Sequence, residues 1–193
     1  MTTLKSMNSN DVALVEAVNS WWSREMDDRV TYDGWNAYLV TFTFNHIPGK
    51  PATKLKVMQD SVCRFYSAML RRVVRKPNSI YQLHNRPRMV SAPDYPVFKH
   101  EKIGLAEVRI NDGLHMHAIL GVPLKSRLKE ELASHVARKP HAYIKVPLRN
   151  IHFAPIEGNM KDVVGYVTKT IRRGRCRWED ILFLPKSPSE LVD

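Results

Sequence analysis

Between Leu114 and Leu120 the chain reads Leu-His-Met-His-Ala-Ile-Leu. A strand there points His115 and His117 the same way and turns Leu114, Met116, Ala118 and Leu120 to its other face. Two imidazoles on one strand face are the beginning of a metal site, and a carboxylate beside them completes one. Glu107 stands eight residues before His115, and the turn Asn111-Asp112-Gly113 predicts a hairpin joining Ile103–Ile110 to Leu114–Val122. Loop length then decides whether acid and histidines meet. A two-residue Asp-Gly loop pairs Ile110 with His115 and throws Glu107 to the opposite face. A three-residue loop, with Gly113 left-handed, pairs Arg109 with His115 and Glu107 with His117, and only this choice collects Ala106, Val108, Ile110, Leu114, Met116, Ala118 and Leu120 on one buried face. The expected ligands are therefore Glu107, His115 and His117. Mixed nitrogen and oxygen donors suit Mn²⁺ or Mg²⁺ acting on phosphate, with Zn²⁺ the remaining option.

A tyrosine and a lysine lie one helical turn apart further on. Asn159 and Asp162 have the spacing of a capping box and start a helix that runs to Arg172. Met160, Val163, Val167 and Ile171 form its core stripe, while Tyr166, Lys169 and Arg173 share an adjacent flank. A phenol beside an ammonium, at a basic helix end that also carries Arg172, can face a phosphate together. Gly165 inside this helix costs about 1 kcal/mol relative to alanine, which predicts a close backbone approach there.

The elements that must position these groups follow from periodicity. Asn10 or Asp11 caps a first helix with Val12, Val15, Val18 and Trp22 at helical spacing, and Trp21 and Trp22 are read as core contacts. Tyr38–Asn45 is a strand with Val40, Phe42 and Phe44 on one face and Thr41, Thr43 and Asn45 on the other. A long helix from Ala52 to Arg75 ends in Arg71, Arg72, Arg75 and Lys76, which suits either the helix dipole or phosphate contact. Residues 77–102 hold four of the twelve prolines and read as an irregular excursion. Leu124–Val136 reads as a helix and Ile144–Ile156 as a broken strand. The pattern is α+β: a central antiparallel sheet of about five strands with helices packed mainly on one face.

The 193 residues have room for one core, and 44% hydrophobic residues suffice to fill it. Thirty Lys and Arg against nineteen Asp and Glu leave a net charge of +11, which calls for a polyanion: nucleic acid first, an anionic membrane second. No signal peptide or bilayer-length apolar run is evident, so an intracellular, cytoplasmic protein is expected. Cys63 and Cys176 fit neither a disulfide framework nor a cysteine zinc site and are expected as reduced thiols.

Taken together, VTFTFN at 40–45, LHMHAIL at 114–120 and GYVTKT at 165–170 resemble the three ordered motifs of the HUH endonucleases: the threonine-rich strand, the His-hydrophobic-His strand and the Tyr-x-x-Lys helix. The likeness spans about 130 residues, and Glu107 is similar to the extra carboxylate ligand of many rolling-circle replication initiators. The resemblance implies a ferredoxin-like or RRM-like fold, with residues 1–36 as an N-terminal helical extension, 37–175 as the endonuclease domain and 176–193 as a tail. It implies sequence-specific nicking and joining of single-stranded DNA at an origin, near a hairpin, with Tyr166 as nucleophile, Lys169 as its cation and a metal on Glu107, His115 and His117. Thr41, Thr43, Asn45, Arg71, Arg72, Arg109, Arg172 and Arg173 are then expected to touch DNA. Thr170 replaces the second tyrosine of the phage-type branch, so a single-tyrosine enzyme is expected. A chain this short leaves unwinding to a host helicase and extension to a host polymerase, in a bacterial cytoplasm. The alternatives are a single-tyrosine transposase of the same superfamily, a non-catalytic RRM-like nucleic-acid binder, and an unrelated metal-dependent phosphodiesterase acting through water.

Overall fold

The computed structural model describes residues 9–95 and 110–186. In chain order these form α1 (Ser9–Thr31), β1 (Asn36–Phe44), α2 (Pro51–Val73), β2 (Arg88–Asp94), β3 (His115–Val122), α3 (Leu132–Arg138), β4 (Leu148–Pro155), α4 (Met160–Val167), α5 (Lys169–Arg172) and β5 (Leu182–Leu184). The five strands make one antiparallel sheet in the order β4-β1-β3-β2-β5. Its first four strands have the order of a ferredoxin-like split βαβ, with β3 inserted between β1 and β2 and the crossovers carried by α2 and α3.

Alternation in β1 does what its sequence dictates. Tyr38, Val40, Phe42 and Phe44 enter a core with Met116, Ala118 and Leu120 of β3 and with Leu55, Met58, Val62, Phe65, Tyr66 and Met69 of α2. Each fully buried aliphatic or aromatic side chain there contributes about 1.5–3 kcal/mol. The α+β class and the five-stranded sheet are as expected, with both crossover helices on this face. The opposite face carries a second layer as well, in which Val15, Trp22 and Met26 of α1 and Met160, Val164 and Val167 of α4 cover Ala37, Val90, Ala92 and Ile119. Helix α1, within the expected N-terminal extension, thus packs on this second face of the sheet. Trp22 is core, but Trp21 is exposed, because the buried stripe of α1 passes through Val15, Trp22 and Met26 and leaves Trp21 on the solvent side.

Four sequence expectations are corrected. Residues 77–102 are not wholly irregular: Arg88–Asp94 is strand β2, paired with β3 on one side and β5 on the other. Pro93 is tolerated because its carbonyl faces away from β3 and accepts from Thr170 Oγ1 at 2.6 Å, so its missing N–H faces that way too. The hairpin partner of β3 is therefore β2. Both edges of β3 are occupied, with Thr41 and Ala92 flanking His117, and no edge remains for Ile103–Ile110 to pair with it. The helix expected over Leu124–Val136 begins only at Leu132, after a loop through Ser126 whose Oγ accepts from Leu128 N. The supposed tail contributes β5, which extends the sheet.

Candidate metal and phosphate site

His115 and His117 leave β3 on the face shared with α4, at the end of the strand that α1 does not cover. His115 Nδ1 lies 2.9 Å from the carbonyl of Gly113. A carbonyl only accepts, so this nitrogen carries the proton and the neutral ring presents the Nε2 lone pair. Gly113 is held for this by a left-handed turn with φ of 56°, 57° and 74° at Asn111, Asp112 and Gly113. The Asn111 amide fixes the turn from inside, accepting from Ile47 N and donating to Asn45 O. The left-handed Gly113 was legible in the sequence, while Ile103–Arg109, which it was expected to join to β3, lies outside the described residues.

His117 is buried and is oriented by Thr41, whose Oγ1 is 3.0 Å from Nδ1. The two Nε2 atoms are 3.1 Å apart. Asp94, directly opposite His115 across the β2–β3 ladder, supplies the acid. Its Oδ2 lies 3.3 Å from His117 Nε2 and 3.6 Å from His115 Nε2. Asp94, His115 and His117 thus form a cluster whose donor atoms lie within 4.8 Å of one another, an arrangement that could hold a metal ion. The chemistry of the donors fits a divalent cation. Two imidazole nitrogens and a carboxylate converge, and Oδ1 of Asp94 is buried with no hydrogen-bond partner, a state that costs free energy unless a cation or donor meets it.

Glu107 and Arg109 lie outside the described residues. The pairing from which Glu107 was assigned as the ligand opposite His117 is overturned, since Thr41 and Ala92 hold both sides of His117; within the described residues the carboxylate is that of Asp94. Asp94 is hidden in the sequence because Pro93 and Pro96 read as strand breakers. The signal was the short apolar run Met-Val-Ser-Ala just before them.

Helices α4 and α5 bring the remaining groups. Asn159 caps α4, its side chain accepting from Lys161 N at 3.0 Å. The single helix expected over 159–172 breaks at Thr168, whose Oγ1 donates to Val164 O and accepts from Asn19 Nδ2 of α1. Thr170 then ties α5 to Pro93, next to Asp94. Across this break Lys169 Nζ reaches 2.7 Å from Asp94 Oδ2 and 3.7 Å from the centre of the Tyr166 ring. The Tyr166 hydroxyl lies 3.4 Å from His117 Nε2. Gly165 is not a site of close approach: a Cβ there would meet only Arg172 Nη2, at an ordinary 3.5 Å.

Electrostatics favour the metal-ready protonation states. Burial alone would raise the Asp94 carboxyl, but hydrogen bonds with His117 and Lys169, together with the Lys169 and His115 charges, hold it below its ordinary value. Burial lowers His115, against the opposing Gly113 bond, with His117 and Lys169 adding to the lowering.

The remaining expected contacts divide by position. Thr41 touches His117, and Thr43 lies two residues further along the same face of β1, paired with Asn150 of β4. Asn45 is exposed at the strand's end, its backbone N bonded to Pro147 O. Arg172 and Arg173 end α5, with Arg172 donating to Gly165 O at 2.8 Å. Arg71 and Arg72 are not brought to this cluster. They close α2 on the opposite face of the sheet, where the Arg72 guanidinium stacks on Tyr143 at 5.1 Å.

No described helix is long and apolar enough to cross a membrane. Comparison with protein-family models, with curated proteins and with solved structures finds no match.

Proposed function

We propose that the protein is a metal-dependent enzyme that nicks and rejoins single-stranded DNA through a tyrosine ester, as a single-tyrosine HUH endonuclease does. The observation that carries the reading is the Tyr166 hydroxyl beside the Asp94–His115–His117 cluster, with Lys169 in contact with both the acid and the phenol ring. In this reading Asp94, His115 and His117 hold Mn²⁺ or Mg²⁺. Bound there, such a cation supplies Lewis-acid polarisation of the scissile phosphate.

The chain's own residues do the rest. Thr41 holds the His117 ring and the Gly113 carbonyl holds that of His115, so neither must reorient. The phenolic proton of Tyr166 passes to solvent, and the Lys169 ammonium over the ring stabilises the developing phenolate. Tyr166 Oη forms a bond to phosphorus as the bond to the 3′ oxygen breaks, and that oxygen takes a proton from solvent. The products are a 5′ phosphotyrosine and a free 3′ hydroxyl. Attack by a 3′ hydroxyl on the ester reverses the step and joins strands without ATP. The 3′ end also primes a polymerase, so initiation of rolling-circle replication in a bacterial host, with a host helicase, is the proposed role.

The test is to incubate the protein with a pool of single-stranded oligonucleotides and Mn²⁺ and run a denaturing gel. A retarded protein band that nuclease digestion returns to its starting mobility, with the modified peptide mapping to Tyr166, supports the assignment. Cleaved DNA without an adduct indicates hydrolysis by water, and bound but intact DNA indicates a binding module.

A further inference from the structure

At the far end of the sheet from the histidines, the last turn of α2 and the loop after β3 enclose a pocket of about 280 Å³. Its walls are Val73, Val74, Arg75, Gln82, Asn85, Lys125, Ser126 and Arg127. Three of these are cations, three are neutral hydrogen-bonding side chains, and no carboxylate is among them. Arg127 N bonds to Val73 O and its Nη1 to Arg71 O, so the loop is clipped to the helix end.

A further feature sharpens the chemistry. The 3₁₀ turn Ile80–Asn85, which provides Gln82 and Asn85, also presents Tyr81 and Ile80 to solvent at 85% and 68% exposure. Cations lining a concavity beside an exposed aromatic ring match nucleic acid, whose phosphates the cations neutralise and whose bases stack on the ring. A free phosphate would leave the ring unexplained.

We infer that this pocket is a second nucleic-acid contact, in which Arg75, Lys125 and Arg127 hold a backbone phosphate and Tyr81 stacks a neighbouring base. It is separate from the proposed cutting centre: Arg88 pairs with Gly121 at this end and Asp94 with His115 at the other, six residues or roughly 20 Å away along the strands. The inference rests on the proposed reading only in taking nucleic acid as the partner.

The test compares wild type with an Arg75→Ala, Lys125→Ala, Arg127→Ala triple variant and, as a lighter change, with Tyr81→Ser. Fluorescence anisotropy follows a labelled 30-nucleotide single strand and the corresponding duplex over a salt series, while calorimetry follows Mn²⁺ binding by the same proteins. The triple variant should lose about tenfold or more in nucleic-acid affinity, its log–log salt dependence should flatten by about 0.7 to 0.9, the value for one phosphate, and Mn²⁺ binding should be unchanged. Tyr81→Ser should weaken the single strand more than the duplex. Equal affinity and salt slope in wild type and triple variant would overturn the inference while leaving the proposed function standing. Wild type that binds neither nucleic acid would remove both. A pocket that binds pyrophosphate by NMR, in a protein whose triple variant still holds DNA normally, would make it a small-anion site and would also overturn the inference.

Discussion

Lys169 and Asp94 form the closest ion pair of the cluster: Nζ lies 2.7 Å from Oδ2, and the carboxylate is almost wholly buried. The same oxygen faces both imidazole nitrogens, so one acid orders the cation of α5 and the ligand set of β3. Asp94→Asn keeps the shape and removes the charge. It should weaken Mn²⁺ binding at least tenfold by calorimetry, because one of three ligands becomes a neutral amide. Undiminished affinity would return the carboxylate role to Glu107.

The left-handed turn before β3 depends on Asn111. Replacing it with alanine removes two hydrogen bonds to the Asn45–Ile47 segment and puts a side chain without local bonding capacity at φ 56°. The expected loss in urea unfolding is roughly 2–3 kcal/mol. Asn111→Gly, which keeps the conformation but not the bonds, should fall between. An alanine variant as stable as wild type would mean that the turn does not need its amide.

Burial, with the neighbouring His117 and Lys169, holds His115 below the ordinary imidazole value despite its bond to Gly113. The unfolded chain therefore binds more protons here than the folded one, and stability rises with pH. This contribution is fully present above the unfolded value of about 6.5 and is lost progressively as pH falls from there through the lower folded value. Asp94, also lowered, adds a second loss at more acid pH, below about 3.9. Melting temperatures of the metal-free protein should decline from pH 7 to 5, and His115→Gln should flatten that decline. Parallel curves for the two proteins would show that His115 does not carry the proton linkage.

Much of this was readable before folding was considered. The two faces of β1, the stripe of α2, the histidine pair and the Tyr166–Lys169 spacing all follow from local periodicity, which a single segment carries in full. What failed was pairing. The hairpin around Asn111-Asp112-Gly113 satisfied every local rule for Ile103–Ile110, yet the partner of β3 is a strand preceding that segment, with the 96–109 connection between them. Pro93 hid this strand, because a proline disqualifies a strand only when its missing N–H faces a ladder, and that direction is set by tertiary contacts such as Thr170 to Pro93. Asp94 was lost with the strand that carries it.

The thiols offer a simple check on packing. Burial pushes Cys176 up to about 12 and raises Cys63 as well. Both should react slowly with a disulfide reagent at pH 8 in native protein and rapidly in urea. Fast labelling of folded protein would contradict the packing of Cys176 against the second core layer or of Cys63 on α2.

In the proposed function Tyr166 attacks DNA beside a metal held by Asp94, His115 and His117. Wild type and Tyr166→Phe, each incubated with the oligonucleotide that wild type captures and with Mn²⁺, should differ in one respect on a denaturing gel. Wild type forms a covalent protein–DNA band, whereas the phenylalanine variant forms none while keeping its affinity for DNA and for Mn²⁺. An adduct of equal intensity in the variant would contradict the account.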